Sequence, residues 1–142
     1  MTKFKRSLDN YQFYTTSRQI SYWKEIDEDK LQTAIDLFQD ELNWDKMWSV
    51  EDAKHRLETG WLMSVLEQDD ELKGWFWLNY ETQEGLNLYV HKDHRNWGYG
   101  MGLINYICRL AKLQGLDSVW SQVDEWNEVS QRLFLRCGFV NE

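Results

Sequence analysis

The chain contains no proline, only two cysteines, and no apolar run approaching the roughly 18–20 residues of a membrane span. Without proline there is no proline-rich linker to divide it, and no repeat or low-complexity segment interrupts its order of elements. Cys108 and Cys137 have neither a CxxC spacing nor a neighbouring metal partner, so they read as buried thiols of a cytosolic protein. Positive charge is scarce: 16 Lys and Arg against 24 Asp and Glu give a net charge of −8. That balance argues against non-specific nucleic-acid binding, which depends on attraction to phosphates, and suits a cationic partner such as an amine. The basic start, Met1 to Ser7, leads into Leu8-Asp9-Asn10 and not into an apolar signal segment. What is abundant is tryptophan, nine residues in 142, most of them expected to be packing residues. The length suits one domain over residues 1–142 with room for a core.

One stretch organises the rest. Leu86, Leu88 and Val90 alternate with Asn87 and Tyr89, the period of a strand. A polar run from His91 to Asn96 follows. Gly98, Gly100 and Gly102 then fall at every second position where a helix begins, and Leu103, Ile104, Ile107, Leu110 and Ala111 give that helix an apolar stripe. Gly115 is placed to stop it. A strand, a glycine loop and a helix N-terminus make an anion site, because the first helical turn has unpaired N–H groups and a partial positive charge. Arg95 adds a cation at the mouth of the loop.

The spacing discriminates between anions. A Walker loop needs Lys then Ser or Thr after its last glycine, and a dinucleotide fingerprint needs its third glycine where Leu103 stands. The pattern present is Arg-x-x-Gly-x-Gly, written here Arg95-Asn96-Trp97-Gly98-Tyr99-Gly100. In this the chain resembles the GNAT superfamily of acyl-CoA-dependent N-acyltransferases. The resemblance implies that the loop, Arg95 through Gly102 with Met101 inside it, wraps the pyrophosphate of coenzyme A with main-chain N–H groups. It also implies that the strand end at Tyr89 and Val90 pairs with the pantetheine arm. Acetyl-CoA is then the co-substrate, with no metal.

The remaining elements follow the same order. Met1 to Arg18 is an N-terminal arm or extra strand, with Tyr11, Phe13 and Thr15 alternating in it. Gln19 to Trp23 reads as a strand. Asp27 caps a helix whose apolar face is Leu31, Ala34, Ile35, Phe38 and Leu42. Trp44 to Trp48 breaks the period as a loop, and Ser49-Val-Glu-Asp52 opens a shorter helix that runs to Gly60. Trp61 to Leu66 and Leu72 to Tyr80 are strands about an Asp69-Asp70 turn, with Trp75 and Trp77 on one face and Phe76 and Leu78 on the other. After the long helix come a strand, Ser118 to Val123, and a last helix capped by Asn127 and stopped by Gly138.

The predicted order is β, α, α, β, β, β, α, β, α, a mixed α/β fold. The GNAT resemblance runs from about Gln19 to Phe139 and implies a mixed sheet flanked by helices that opens as a V between its fourth and fifth strands. Its second signature is Asn127-x-x-Ser130-x-x-x-Phe134-x-Arg-Cys-Gly138-Phe139. Two departures stand out. Many members have a tyrosine at the position of Phe134 that protonates the leaving thiolate; Phe134 keeps a cofactor-packing role and loses the proton. The family also usually continues with two more strands after Gly-Phe, whereas this sequence stops at Glu142. The expectation is that Tyr11 to Thr15, or a second copy in a homodimer, covers the open edge.

The candidate catalytic groups are few, because acetyl-CoA is already activated. The amine must be placed and kept neutral. Glu84 is the candidate base, since its distance before Arg95 resembles that of the catalytic Glu in histone-acetylating members; a solvated turn residue is the plainer reading. Asp124 and Glu125 are alternatives acting through water. A main-chain N–H near Tyr89 or Val90 would polarise the carbonyl. Ser130, one helical turn before Phe134, is the stand-in acid, or a Ser packed beside the strand. His91 and His94 read as solvated loop residues, with no third metal ligand in range. Trp44, Met47 and Trp48 border the acceptor or pack in the core.

Three function classes follow. The first is an acetyltransferase acting on a primary amine of a small molecule or peptide. The second is a non-catalytic acyl-CoA-binding module of the same fold, suggested by Phe134 and the short C-terminus. The third is a Rossmann-type nucleotide-binding fragment, supported only by the glycine loop and Asp124.

Overall fold

A computed structural model describes residues 1–12, 17–41, 49–95 and 97–142. Its elements are β1 (Thr2–Ser7), β2 (Ile20–Tyr22), α1 (Glu28–Leu37), α2 (Val50–Glu58), β3 (Leu62–Gln68), β4 (Glu71–Leu78), β5 (Gly85–Val90), a 3-10 turn (Lys92–His94), α3 (Tyr99–Leu113), β6 (Ser118–Val123), α4 (Glu128–Arg136) and β7 (Val140–Asn141). Among them no helix is long and apolar enough to cross a membrane. The order is the predicted one, with a strand added at each end.

Four antiparallel strands form one sheet in the order β2-β3-β4-β5, and three form another in the order β6-β1-β7. The alternation along β4 decides which helices lie where. Trp75 and Trp77 point to one face, where they pack with Tyr89 and with Leu31, Ala34 and Ile35 of α1 and Ala53 of α2. Phe76 and Leu78 point to the other, against Leu103, Ile104 and Ile107 of α3. Each fully buried Leu or Ile on that face contributes roughly 1.5–3 kcal/mol. The buried Ser64 hydroxyl of β3 donates to the Leu103 carbonyl at 3.0 Å, which ties α3 to the sheet through a satisfied polar contact.

The caps are those the sequence foretold. Asp27 accepts from Lys30 N, Ser49 from Asp52 N and Asn127 from Ser130 N. Helix α1 ends at Leu37, short of the predicted Leu42, which lies outside the described residues, as does the loop Trp44 to Trp48. β4 ends at Leu78 and not at Tyr80, which is exposed. Cys108 and Cys137 are free and buried, and burial pushes both thiols up to about 12.

The open edge is covered differently from the expectation. Thr2–Ser7 forms the covering strand, antiparallel to β6 on one side (Thr2 opposite Val123) and to β7 on the other (Lys5 opposite Val140). The physical reason is Phe4, which is 2% exposed and packs into the α3 core. Tyr11 instead lays its ring under the Arg6 guanidinium at 4.8 Å and donates its hydroxyl to the Asn105 carbonyl. Phe13 to Thr15 lie outside the described residues.

Candidate active site

The two sheets touch through β5 and β6 at one end only. A parallel bridge joins Glu84 to Trp120, Trp120 N donates to the Gln83 carbonyl at 3.1 Å, and the Ser121 hydroxyl donates to the Gly85 carbonyl at 2.8 Å. Among the described residues no further pairing joins these strands, so they part into a V whose arms end at Val90 and Val123.

A bulge in β5 helps to turn it away. Tyr89 pairs with Trp75 and Leu86 with Trp77, which leaves Asn87 and Leu88 together opposite Phe76. Asn87 takes the left-handed conformation, φ 58°, that Asn tolerates better than most residues. Its side chain accepts a 3.0 Å hydrogen bond from Arg56 of α2, whose guanidinium lies 4.0 Å from the Trp61 ring centroid. Burial lowers Arg56 to about 10, so it stays charged at neutral pH.

Past the bulge the ladder resumes, and His91 N donates to the Lys73 carbonyl. Neighbouring residues of an antiparallel strand face opposite edges, so Val90 turns its N–H and C=O away from β4 and toward the gap. The Val90 carbonyl accepts from Arg95 Nε at 2.9 Å. Arg95, expected as a cation for the anion, therefore folds back onto the strand, and its Nη2 reaches Glu41 at 3.3 Å. The same Glu41 oxygen accepts a 2.6 Å bond from the Tyr89 hydroxyl. Burial and the Glu41 carboxylate both push the Tyr89 phenol far above its usual range, so it remains a neutral donor.

Gly98 is the N-cap of α3, left-handed at φ 82°, with open space where a Cβ would stand. The first bond of the helix is Gly102 N to the Gly98 carbonyl, 3.0 Å. The N–H groups of Tyr99, Gly100 and Met101 precede it and have no helical acceptor. No acidic residue occupies that first turn and no side chain caps it. An open groove of about 390 Å³ borders it, lined by Trp97, Gly98, Tyr99, Met101, Gly102 and Asn105 with Ser17 and Ile20. The other two glycines serve packing: a Cβ on Gly100 would stand 2.8 Å from Leu133 Cδ2, and one on Gly102 would strike Ile20. Trp97 is 75% exposed, and Asn96 lies outside the described residues.

The other candidates scatter. Glu84 sits at the apex of the V, where burial raises its carboxyl and the nearby Lys3 opposes the shift. Measured along β4, where Asn79 lies opposite Glu84 and Gly74 opposite Val90, it stands roughly 16 Å from Val90 at about 3.3 Å per residue. Phe134 is 3% exposed and packs its ring on Phe4, Phe76 and Phe139, with centroids 5.0–6.3 Å away, so it belongs to the core. Ser130 is half-buried on α4, its N–H held by Asn127. The carbonyls of Asp124 and Glu125 accept from the Gln131 side chain. His91 and His94 are half-buried and not freely solvated: their rings lie 5.7 Å apart, the His91 ring lies tilted 4.3 Å from that of Phe38, and both Nδ1 atoms are buried without a hydrogen-bond partner. No group of three or more metal-ligating side chains occurs among the described residues. Sequence reasoning missed Glu41, Arg56 and Asn87. Only Asn87 carried a signal, as a left-handed-tolerant residue inside an apolar strand.

A family model described as the acetyltransferase (GNAT) family matches residues 21–139. The chain belongs to this family. Among solved structures, the GNAT fold recurs in a GCN5-related N-acetyltransferase from Sphaerobacter thermophilus, at 16% identity and TM-score 0.72 over 99% of this chain and 48% of that one. It recurs in a ribosomal-protein-alanine N-acetyltransferase from Brucella melitensis, at 18% identity and TM-score 0.69 over 85% of this chain and 83% of that one. A third is a putative acetyltransferase from Salmonella typhimurium solved with acetyl-CoA, at 15% identity and TM-score 0.68 over 88% and 79% of the two chains. The chain spans 47%, 60% and 48% of the length of three such GNAT-fold neighbours that it matches almost end to end. No curated protein matches the sequence. The GNAT order of strands is completed here by the N-terminal β1, inserted between β6 and β7.

Proposed function

We propose that the protein transfers an acetyl group from acetyl-CoA directly to a primary amine of a small molecule or peptide, without a covalent intermediate. The observation that carries this reading is the V between β5 and β6 with the uncapped first turn of α3 at its mouth. The site fits an acyl-CoA on its own geometry: Gly98 leaves room where any other residue would project, and the free N–H groups of Tyr99, Gly100 and Met101 suit a pyrophosphate. Acetyl-CoA, when bound, supplies an activated thioester.

In this reading the chain's own residues bind and orient. The Val90 N–H offers a donor to an extended arm laid in the gap, while its carbonyl is held by Arg95. Met101, Gly102 and Asn127 frame the loop and the start of α4, with Asn127 acting through its cap. Glu84, its carboxyl raised by burial, is the base, and its distance from Val90 means that the amine's proton reaches it through water and not directly. Ser130 is the candidate hydroxyl for the leaving thiolate, since Phe134 has none. The acidic surface, net −8, attracts a cationic acceptor.

A thermal-shift series with acetyl-CoA, longer acyl-CoAs and NAD, followed by free-thiol release on an amine panel, tests the proposal. Stabilisation by acetyl-CoA and thiol release with at least one amine are expected. Stabilisation without thiol release from any amine would leave a binding module, the reading that the buried Phe134 favours. Stabilisation by NAD alone would overturn both.

A further inference from the structure

We infer that Glu41 is a positioning residue that clamps the cofactor loop in its binding shape, a role that rests on the acyl-CoA reading above. One carboxylate oxygen receives two donors from different parts of the site: the Tyr89 hydroxyl at 2.6 Å and Arg95 Nη2 at 3.3 Å. Arg95 in turn donates Nε to the Val90 carbonyl at 2.9 Å, so the guanidinium bridges the end of β5, the turn after it and the chain just beyond α1. The Tyr89 ring is fixed from both sides, 4.9 Å from Trp75 and 5.8 Å from Phe38. Arg95 alone is 52% exposed and has a long, mobile side chain; Glu41, at 23%, converts it into a fixed strut.

The strut sets the loop because Arg95 is its first residue. Two residues of sequence separate Arg95 from the left-handed Gly98, and Gly98 aims the first N–H groups of α3. Main-chain donors bind an anion well only when they are held in place beforehand. Glu41 therefore acts on the cofactor without touching it.

The test compares Glu41→Ala, Glu41→Gln, Arg95→Ala and the Glu41→Ala/Arg95→Ala double variant with the parent protein. Coenzyme A affinity is measured by calorimetry, and amide hydrogen exchange over residues 91–102 is measured without ligand. Glu41→Ala and Arg95→Ala should each weaken coenzyme A roughly ten-fold or more, the scale of one charge-assisted hydrogen bond. The double variant should bind no worse than the weaker single variant, because both remove the same strut. Glu41→Gln keeps an acceptor oxygen for both donors and should recover part of the loss. Exchange in the loop should rise in Glu41→Ala while the melting temperature moves little. Losses that add in the double variant, or unchanged loop exchange in Glu41→Ala, would overturn the clamp. If the parent protein binds no coenzyme A, the acyl-CoA reading fails, and the exchange measurement still decides the clamp by itself.

Discussion

Gly74 and Tyr89 stand closer than any side chain allows. A Cβ on Gly74 would lie 2.6 Å from the Tyr89 carbonyl oxygen and 3.3 Å from Val90 Cα. The contact is backbone, so no rotamer can relieve it, and β4 and β5 close at the mouth of the V only around a glycine. Gly74→Ala is expected to cost about 1–3 kcal/mol. Urea denaturation should show a lower midpoint, and the Tyr89–Glu41 bond should loosen with it.

Gly98 presents the opposite case. Its Cβ position is open, so Gly98→Ala meets no neighbour but must hold a left-handed φ of 82°, a strain of about 1–2 kcal/mol. The expected result is a small loss of stability and a large loss of coenzyme A affinity, read by calorimetry beside a melting curve. Affinity equal to the parent's would show that no ligand group occupies the space above Gly98.

Phe134→Tyr restores the hydroxyl that many family members carry, but into a ring cluster of Phe4, Phe76 and Phe139. A buried hydroxyl without a partner costs about 1–3 kcal/mol on the scale of protein mutations. The variant should therefore melt earlier and release thiol from acetyl-CoA no faster. Faster turnover at undiminished stability would mean that the ring edge faces the gap.

His91 gives the protein a pH dependence of predictable sign. Burial lowers its pKa, with Asp93 and Glu41 opposing the shift and Lys73 and His94 adding to it. The folded state thus binds the proton less readily than the unfolded chain does. Its contribution is present above the ordinary His range, near 6.5, and is lost as pH falls through that value toward the lowered one. Stability from urea titrations should decline between about pH 7 and pH 5, and His91→Gln should flatten that part of the curve.

Periodicity and caps carried most of the fold. Asp27, Ser49 and Asn127 announce helix starts by local chemistry, and the Trp75/Phe76 alternation announces two faces, because both signals depend only on near neighbours. The loop at Gly98 was legible for the same reason. Less visible were facts made by distant pairing. Nothing local distinguishes Glu41 from the acids around it until Tyr89 and Arg95 arrive from 48 and 54 residues away. Thr2–Ser7 reads as a charged, nondescript arm until β6 and β7 flank it. The burial of Phe134 likewise depends on Phe4, at the far end of the chain.

The placement of β1 between β6 and β7 has a consequence for synthesis. Thr2 emerges from the ribosome about 120 residues before its partner Val123. At roughly 5–20 residues per second, the strand waits on the order of 6–24 s without a neighbour. During that time the four-stranded sheet can assemble, whereas the three-stranded one cannot. Phe4 stays out of its core, and the V has one arm. The cleft is therefore completed only after β6 and β7 have followed β1 out of the ribosome, and a nascent molecule gains its two-sided site when those two strands capture β1 between them.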